Sequence, residues 1–205
     1  MPTEGLKPTR SELIQIKRKI KLSEVGHKLL KMKRDGLMYE FFEVLPHAKN
    51  IRSDLVRIYC ECHEKMAIAM AREGKLQVKS VAHTQQEVPQ LHLSTKNIMG
   101  VVVPTVEFSM LKKKLHERGY GIIGTSPEID EVVNAYEELV EQIIKTAEIE
   151  TTIKRLLEEI DKTKRRVNAL EFRVIPMLNE DASYITLRLE EIERENVFRL
   201  KRIKA

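Results

Sequence analysis

The chain has 205 residues, enough for one domain or for a small domain carrying an extended element, and too few for a many-domain protein. Charged residues make up 33% and aromatics 5%, with no Trp, a mixture that disfavours a large α/β core and suits a long helical rod that buries only a seam. The net charge of +5 is divided unevenly: residues 1–34 hold ten Lys/Arg against Glu4, Glu12 and Glu24, residues 128–160 hold ten acids against Lys145, Lys154 and Arg155, and the last ten residues are basic again.

No run of 18 apolar residues occurs and the first thirty are polar and periodic, so neither a membrane span nor a secretory signal is expected, and the protein reads as soluble. Cys60 and Cys62 stand too close in sequence for a framework disulfide and suit a reducing, cytosolic setting.

In chain order, residues 1–10 read as a tail and 11–72 as a first coiled-coil helix with Ser11 as its N-cap. A heptad template started at Leu13 finds thirteen of eighteen a and d positions apolar, among them Leu13, Ile16, Ile20, Leu30, Leu37, Phe41, Val44, Ile51, Leu55 and Ile58. Ser23, His27, Arg34, Lys65 and Arg72 are the polar exceptions, where looser packing is expected. Gly26 and Gly36 each cost about 1 kcal/mol in a helix interior relative to Ala, which leaves two readings, close approach of a partner's backbone or simple tolerance.

Residues 73–126 form a middle head segment. Its glycines and prolines, the β-branched run Val101-Val102-Val103 between Gly100 and Pro104, and the alternation at Leu91-His92-Leu93 predict a small β-hairpin within 80–108. Met110 to Arg118 reads as a short basic helix. A second coiled-coil helix, 127–205, is announced by Thr125-Ser126-Pro127-Glu128, a capping hydroxyl followed by Pro at the first helical position. Its seam runs through Ile129, Val132, Tyr136, Leu139, Ile143, Ile153, Leu157, Ile160, Val167, Val174 and Leu178. After one extra residue it continues through Ala182, Ile185, Leu189, Ile192, Leu200 and Ile203. Nearly eighty helical residues span roughly 110 Å, too long for a globule of this mass.

The fold class expected is therefore mainly α: a long antiparallel two-helix coiled-coil hairpin with a small middle head that contains a short β-hairpin. Setting Ser11 beside Ile203 fixes a register that brings Pro46 and Pro176 to similar heights. Each proline removes a helical hydrogen bond, so a shared irregularity is expected there.

Gly119-Tyr120-Gly121-Ile122-Ile123-Gly124 spells a dinucleotide fingerprint, but a charged segment precedes it where a buried strand belongs and no βαβ unit follows, so a flexible turn explains it better. Cys60, Cys62 and His63 do not make a metal site, because residues two apart on a helix face different ways. No Ser or Cys is joined to a base in a catalytic motif, and there is no phosphate-binding loop. Nucleic-acid binding by the basic N-terminal stretch is disfavoured by the lack of stacking aromatics and by charges that surround the helix.

Two distant motifs then carry more than periodicity: Gly26-His27-Lys28-Leu29-Leu30-Lys31-Met32-Lys33-Arg34-Asp35, with Pro2-Thr3 and Leu22 before it, and Arg165-Arg166-Val167-Asn168-Ala169-Leu170-Glu171-Phe172-Arg173-Val174-Ile175-Pro176. Together with the ending Leu189 to Ile203 they resemble the D-subunit family of the archaeal and vacuolar-type rotary ATPases/ATP synthases, over the whole chain and closest in length to the archaeal branch. Met32 and Gly36 depart from the family's basic motif.

The resemblance implies a non-catalytic central rotor stalk of a proton- or sodium-translocating complex. Its termini would sit inside the ring of A and B subunits that holds the ATP sites, and its middle beside the small F subunit and above the C-subunit adaptor of the membrane rotor. No cofactor, no metal, no nucleic acid and no direct membrane insertion is implied, and the location is the cytoplasmic face of the cell membrane. Joined to the charge pattern, it marks Lys28, Lys31, Lys33, Arg34, Arg165 and Arg166 as candidate bearing contacts to the A/B ring. The candidate seam is Leu13, Ile16, Ile20, Leu30, Phe41, Leu55, Ile58, Ile160, Val167, Val174, Leu178, Ile185 and Ile192. The rival reading from periodicity alone is a cytosolic coiled-coil adaptor without a motor role.

Overall fold

Thr9-Arg10-Ser11-Glu12 has the sequence pattern of a capping box, and the chain uses its N-cap half: the Glu12 N–H donates to Thr9 Oγ1 at 3.2 Å and the Leu13 N–H to the Thr9 carbonyl at 3.1 Å, while the Thr9 N–H bonds to the Lys7 carbonyl. The cap is thus Thr9 and not Ser11. Helix α1 (Arg10–Glu73) follows, then α2 (Lys75–Thr84), strands β1 (Leu91–Ile98) and β2 (Val101–Phe108), α3 (Pro127–Ala169), a π-helical turn over Leu170–Val174, and α4 (Ile175–Lys204). The computed structural model describes residues 7–84, 90–108, 120 and 125–204. The basic segment Met110 to Arg118 lies outside them.

The chain divides into two units, Met1–Met38 with Glu159–Ala205, and Tyr39–Glu158. In the first, Arg10 pairs with Glu193 at 2.5 Å, His27 with Glu171 at 3.4 Å and Lys33 with Glu159 at 3.4 Å, so α1 runs antiparallel to the second helical stretch. In the second, the Cys62 thiol donates to the Ala135 carbonyl at 3.1 Å and Arg72 pairs with Glu128, so α1 and α3 are antiparallel there too. Glu128 stands in the first turn of α3, where a carboxylate also meets the helix's positive end. The protein is mainly α, with two long antiparallel helical stretches and a β-hairpin between them in sequence.

The register differs from the sequence expectation. Arg10 meets Glu193 and not the neighbourhood of Ile203, a slip of about three turns. The irregularity expected at both prolines occurs at Pro176 alone, since α1 is continuous through Pro46. Just before Pro176, the Ile175 N–H bonds to the Leu170 carbonyl, five residues back, and the turn widens. A proline ring collides with the carbonyl four residues earlier in a regular helix, and a wide turn moves that carbonyl aside.

β1 and β2 pair antiparallel with Ile98 opposite Val101, joined by Met99-Gly100. Both residues have positive φ, 49° and 87°, as a tight two-residue hairpin of primed type requires, and Asn97 Oδ1 accepts the Gly100 N–H at 2.8 Å. Val101 and Val103 lie buried on one face of β2, and Arg155 of α3 donates to the Val102 carbonyl at 2.6 Å. A second small core joins Val81, Tyr120 and Ile129, with Val133 packed against it.

Candidate functional site

The six basic residues singled out by sequence all fall in the first unit. Those on α1 come from one dense run of Lys and Arg, and Arg165 and Arg166 end α3. The His27–Glu171 and Lys33–Glu159 pairs bracket Lys28 and Lys31 on one helix and Arg165 and Arg166 on the other, so these four stand level with one another. All four are exposed, and among the described residues no ion pair engages them.

Lys33 and Arg34 behave differently. Both are half-buried; Lys33 Nζ reaches Glu159, while Arg34 directs Nε and Nη2 at the same Asp35 oxygen, at 3.0 and 2.7 Å. Two charges that sequence alone assigns to a bearing surface are thus partly compensated within the chain. Four remain as an uncompensated electropositive band, which suits shallow, hydrated contact with acidic groups.

The candidate seam residues are graded by burial. Ile16, Val167 and Ile185 are buried; Leu13, Ile20, Leu30, Phe41, Leu55, Ile58, Ile160, Val174 and Leu178 are half-buried; Ile192 is exposed. On α3 Leu139 is buried as the apolar count expects, but of the adjacent pair Leu156 and Leu157 it is Leu156 that is buried, and Leu157, the one the apolar count selects, faces solvent. Thr146 and Thr163 are buried on the same helix. Thr146 Oγ1 donates to the Gln142 carbonyl at 2.7 Å, which lets a hydroxyl sit inside a seam. On α4 Asp181 is buried and Ala182 half-buried, so no extra residue intervenes between Leu178 and Ile185, and the break in regularity lies earlier, in the π-helical turn. Counting apolar residues could not find Thr146, Thr163 or Asp181, because their polarity hides the seven-residue step that separates them from Leu139, Leu156 and Val174.

Signals for chemistry resolve into structure. Cys60 is exposed and Cys62 buried, opposite sides as helical spacing demands. Burial pushes the Cys62 thiol above its ordinary pKa, the nearby Lys65 charge opposing it more weakly. Burial, then the neighbouring Cys62, likewise raises the Tyr136 phenol. Tyr120, the described residue of the glycine-rich stretch, is buried and donates its hydroxyl to Asp130 Oδ1 at 2.6 Å, while Gly119 and residues 121–124 lie outside the described residues. Among the described residues no group of three or more His, Cys, Asp or Glu is placed to hold a metal ion, and no helix is long and apolar enough to cross a membrane.

The chain as a whole is similar to known proteins. The sequence model of the ATP synthase D-subunit family matches residues 12–205. The chain is similar to the D subunit of the A-type ATP synthase of Methanococcoides burtonii, 60% identical over 204 residues that cover 100% of this chain and 99% of that one. It is 60% identical to the protein of that name from Methanosarcina acetivorans, over 100% of this chain and 98% of the relative. With the one from Archaeoglobus fulgidus the identity is 50%, over 97% and 96%. A family match over nearly the whole length, on a chain whose described part is two long antiparallel helical stretches and one β-hairpin, means that the chain belongs to the ATP synthase D-subunit family.

Proposed function

We propose that the chain is the non-catalytic central stalk of an archaeal-type, proton- or sodium-translocating rotary ATP synthase, turning as a shaft between a catalytic ring of A and B subunits and the membrane rotor. The observation that carries this reading is the end-to-end likeness to the D subunits of A-type ATP synthases. ATP sites belong to the other subunits. The head segment, 73–126, stands lower, beside the F subunit and above the C-subunit adaptor, and the complex lies on the cytoplasmic face of the cell membrane.

Physical features support a shaft. Torque transmission needs a stiff element, and a seam held over long helices supplies one. A turning end must not lock onto one orientation of its sleeve. Exposed Lys28, Lys31, Arg165 and Arg166 offer long, flexible, hydrated charges, whereas tight interfaces are anchored by buried aromatics or Arg.

The test is a pull-down from native membranes followed by single-molecule rotation of the reconstituted complex. Recovery of the A, B, F and C subunits is expected; recovery of none would leave the coiled-coil adaptor as the better account. Reversing Lys28, Arg165 and Arg166 to Glu should lower torque and coupling, and unchanged ATP-driven rotation would remove the bearing role from these residues.

A further inference from the structure

The two outer edges of the β-hairpin are not alike. Its tight turn makes Ile98 and Val101 a hydrogen-bonded pair, and such pairs alternate along an antiparallel ladder, so Lys96–Val103, Ser94–Thr105 and His92–Glu107 turn their backbone groups inward. The residues between them turn theirs outward: Leu91, Leu93, Thr95 and Asn97 on β1, Val102, Pro104 and Val106 on β2. The β2 edge is closed. Arg155 occupies the outward Val102 carbonyl at 2.6 Å, and Pro104 has no N–H to offer.

The β1 edge is open. Its pairing with β2 runs unbroken from Leu91 to Ile98, without a bulge or a proline to turn a neighbour away. Every residue from Leu91 to Asn97 is exposed, Leu93 by 74%. Among the described residues the sheet ends at β1, and no backbone hydrogen bond from another element reaches its outward groups. Leu91 and Leu93 stand on the face away from buried Val101 and Val103, and Lys96 stands on the other face. The strand carries no acid. His92 faces Glu107 across the ladder, whereas among the described residues no ion pair engages Lys96.

We propose that the β1 edge takes up an extended segment of another polypeptide as a third strand, one that alternates apolar and acidic residues. A row of outward N–H and C=O groups at strand spacing selects a strand, because a helix spends its own backbone groups internally and has none to pair with it. Apolar side chains on one face of the added strand lie beside Leu91 and Leu93, and carboxylates on the other meet Lys96. The β1 strand of a second copy brings no carboxylate to Lys96, so it is the poorer occupant. The site belongs to the second unit, uses none of the candidate bearing residues and does not depend on the shaft reading.

The test uses the full chain and two synthetic peptides of about twelve residues, one alternating Val and Glu and the other Val and Lys. Fluorescence anisotropy of the labelled peptide gives affinity, and amide exchange read by NMR gives the place of binding. The Glu peptide should bind at least about tenfold more tightly than the Lys peptide, and Lys96→Glu should reverse that preference. At saturation, exchange of the outward Leu93 and Thr95 amides should slow at least about tenfold, while Ser94 and Lys96, already bonded to β2, change little. Thr95→Pro removes one outward donor without touching the ladder, so it should weaken binding about tenfold or more with Ser94 and Lys96 still protected. If that variant disturbs the hairpin, the Lys96→Glu reversal and the exchange pattern of the wild-type chain decide. Failure of the Glu peptide to bind, equal affinity for both peptides, unslowed exchange at Leu93 and Thr95, or wild-type binding by an intact Thr95→Pro hairpin would overturn the proposal. So would self-association of the wild-type chain that Thr95→Pro abolishes, since the occupant would then be a second copy.

Discussion

Replacing Leu156 and Leu157 by Ala, one at a time, separates two neighbouring residues of identical chemistry that the structure treats as opposites. Leu156 is 0% exposed and Leu157 44%. Truncation to Ala removes three carbons, about 2.5 kcal/mol of transfer free energy when the side chain is wholly buried. The cavity left behind adds to this, which is why buried Leu→Ala changes span about 2–5 kcal/mol. A seam between two helices is thin and its walls can close inward, so the lower half of that range applies: about 2–3 kcal/mol for Leu156→Ala. Leu157 already meets water over much of its surface and leaves no cavity, so its loss should stay below about 1 kcal/mol. Urea unfolding of the full chain, followed by circular dichroism, measures both. At about 2–4 °C per kcal/mol for a chain of this length, melting temperatures should fall by several degrees for Leu156→Ala and hardly at all for Leu157→Ala. Equal losses, or a larger one at Leu157, would show that the seam of α3 runs along the other line.

Two further outcomes are expected. The raised pKa of the Cys62 thiol means that the folded chain holds this proton more tightly than the unfolded chain, so its contribution to stability is complete below the ordinary thiol value of 9.0 and is lost as pH rises through and beyond it. Cys62→Ser should flatten the alkaline fall in stability measured by urea unfolding between about pH 8 and 10, and in the wild-type chain a thiol reagent should label Cys60 well before Cys62. At the hairpin tip, Met99 holds a left-handed backbone conformation that Asn adopts more readily. Met99→Asn should stabilise the β1–β2 ladder by about 0.5–1 kcal/mol, read as a roughly two- to fivefold slowing of amide exchange across the hairpin.

The parts of the fold visible in the sequence are those set by local chemistry. The heptad count on α1 points to the right side of the helix because its buried residues, Ile16, Leu37, Cys62 and Ala69, are all apolar or small. Pro127 opens α3, with the Ile129 N–H bonded back to the Ser126 carbonyl, because the capping signal is contained in four residues. The β-hairpin is legible from Val101-Val102-Val103 and Gly100 for the same reason. Register is another matter. Each helix shows its own period, but which turn of one meets which turn of the other depends on how knobs fill holes across the pair, and the Arg10–Glu193 contact corrects the alignment by about three turns. Composition and the family resemblance together pick out the candidate bearing residues. Composition counts Lys33 and Arg34 as free charges, because their compensation by Glu159 and Asp35 depends on helix pairing and rotamer, which no window of sequence encodes.

The corrected register has a consequence at the C-terminus. Since Arg10, the first residue of α1, meets Glu193, the rest of α4 to Lys204 runs about three turns beyond the start of its partner helix. Val197, Phe198, Leu200 and Ile203 are exposed there. A lone helical stretch shorter than about 12–15 residues is marginal in water. Its Glu190–Arg194 and Glu195–Arg199 pairs contribute only about 0.3–0.5 kcal/mol each. In the isolated chain, then, amides beyond Glu195 should exchange within seconds while those near Val167 and Ile185 resist for far longer. Enclosure of this end by a surrounding sleeve would bury its apolar side chains, and exchange there should slow by at least about tenfold in the assembled complex. Protection of residues 196–204 in the isolated chain as strong as that at Ile185 would mean that the end of α4 already has its cover, and the case for a sleeve around it would fail.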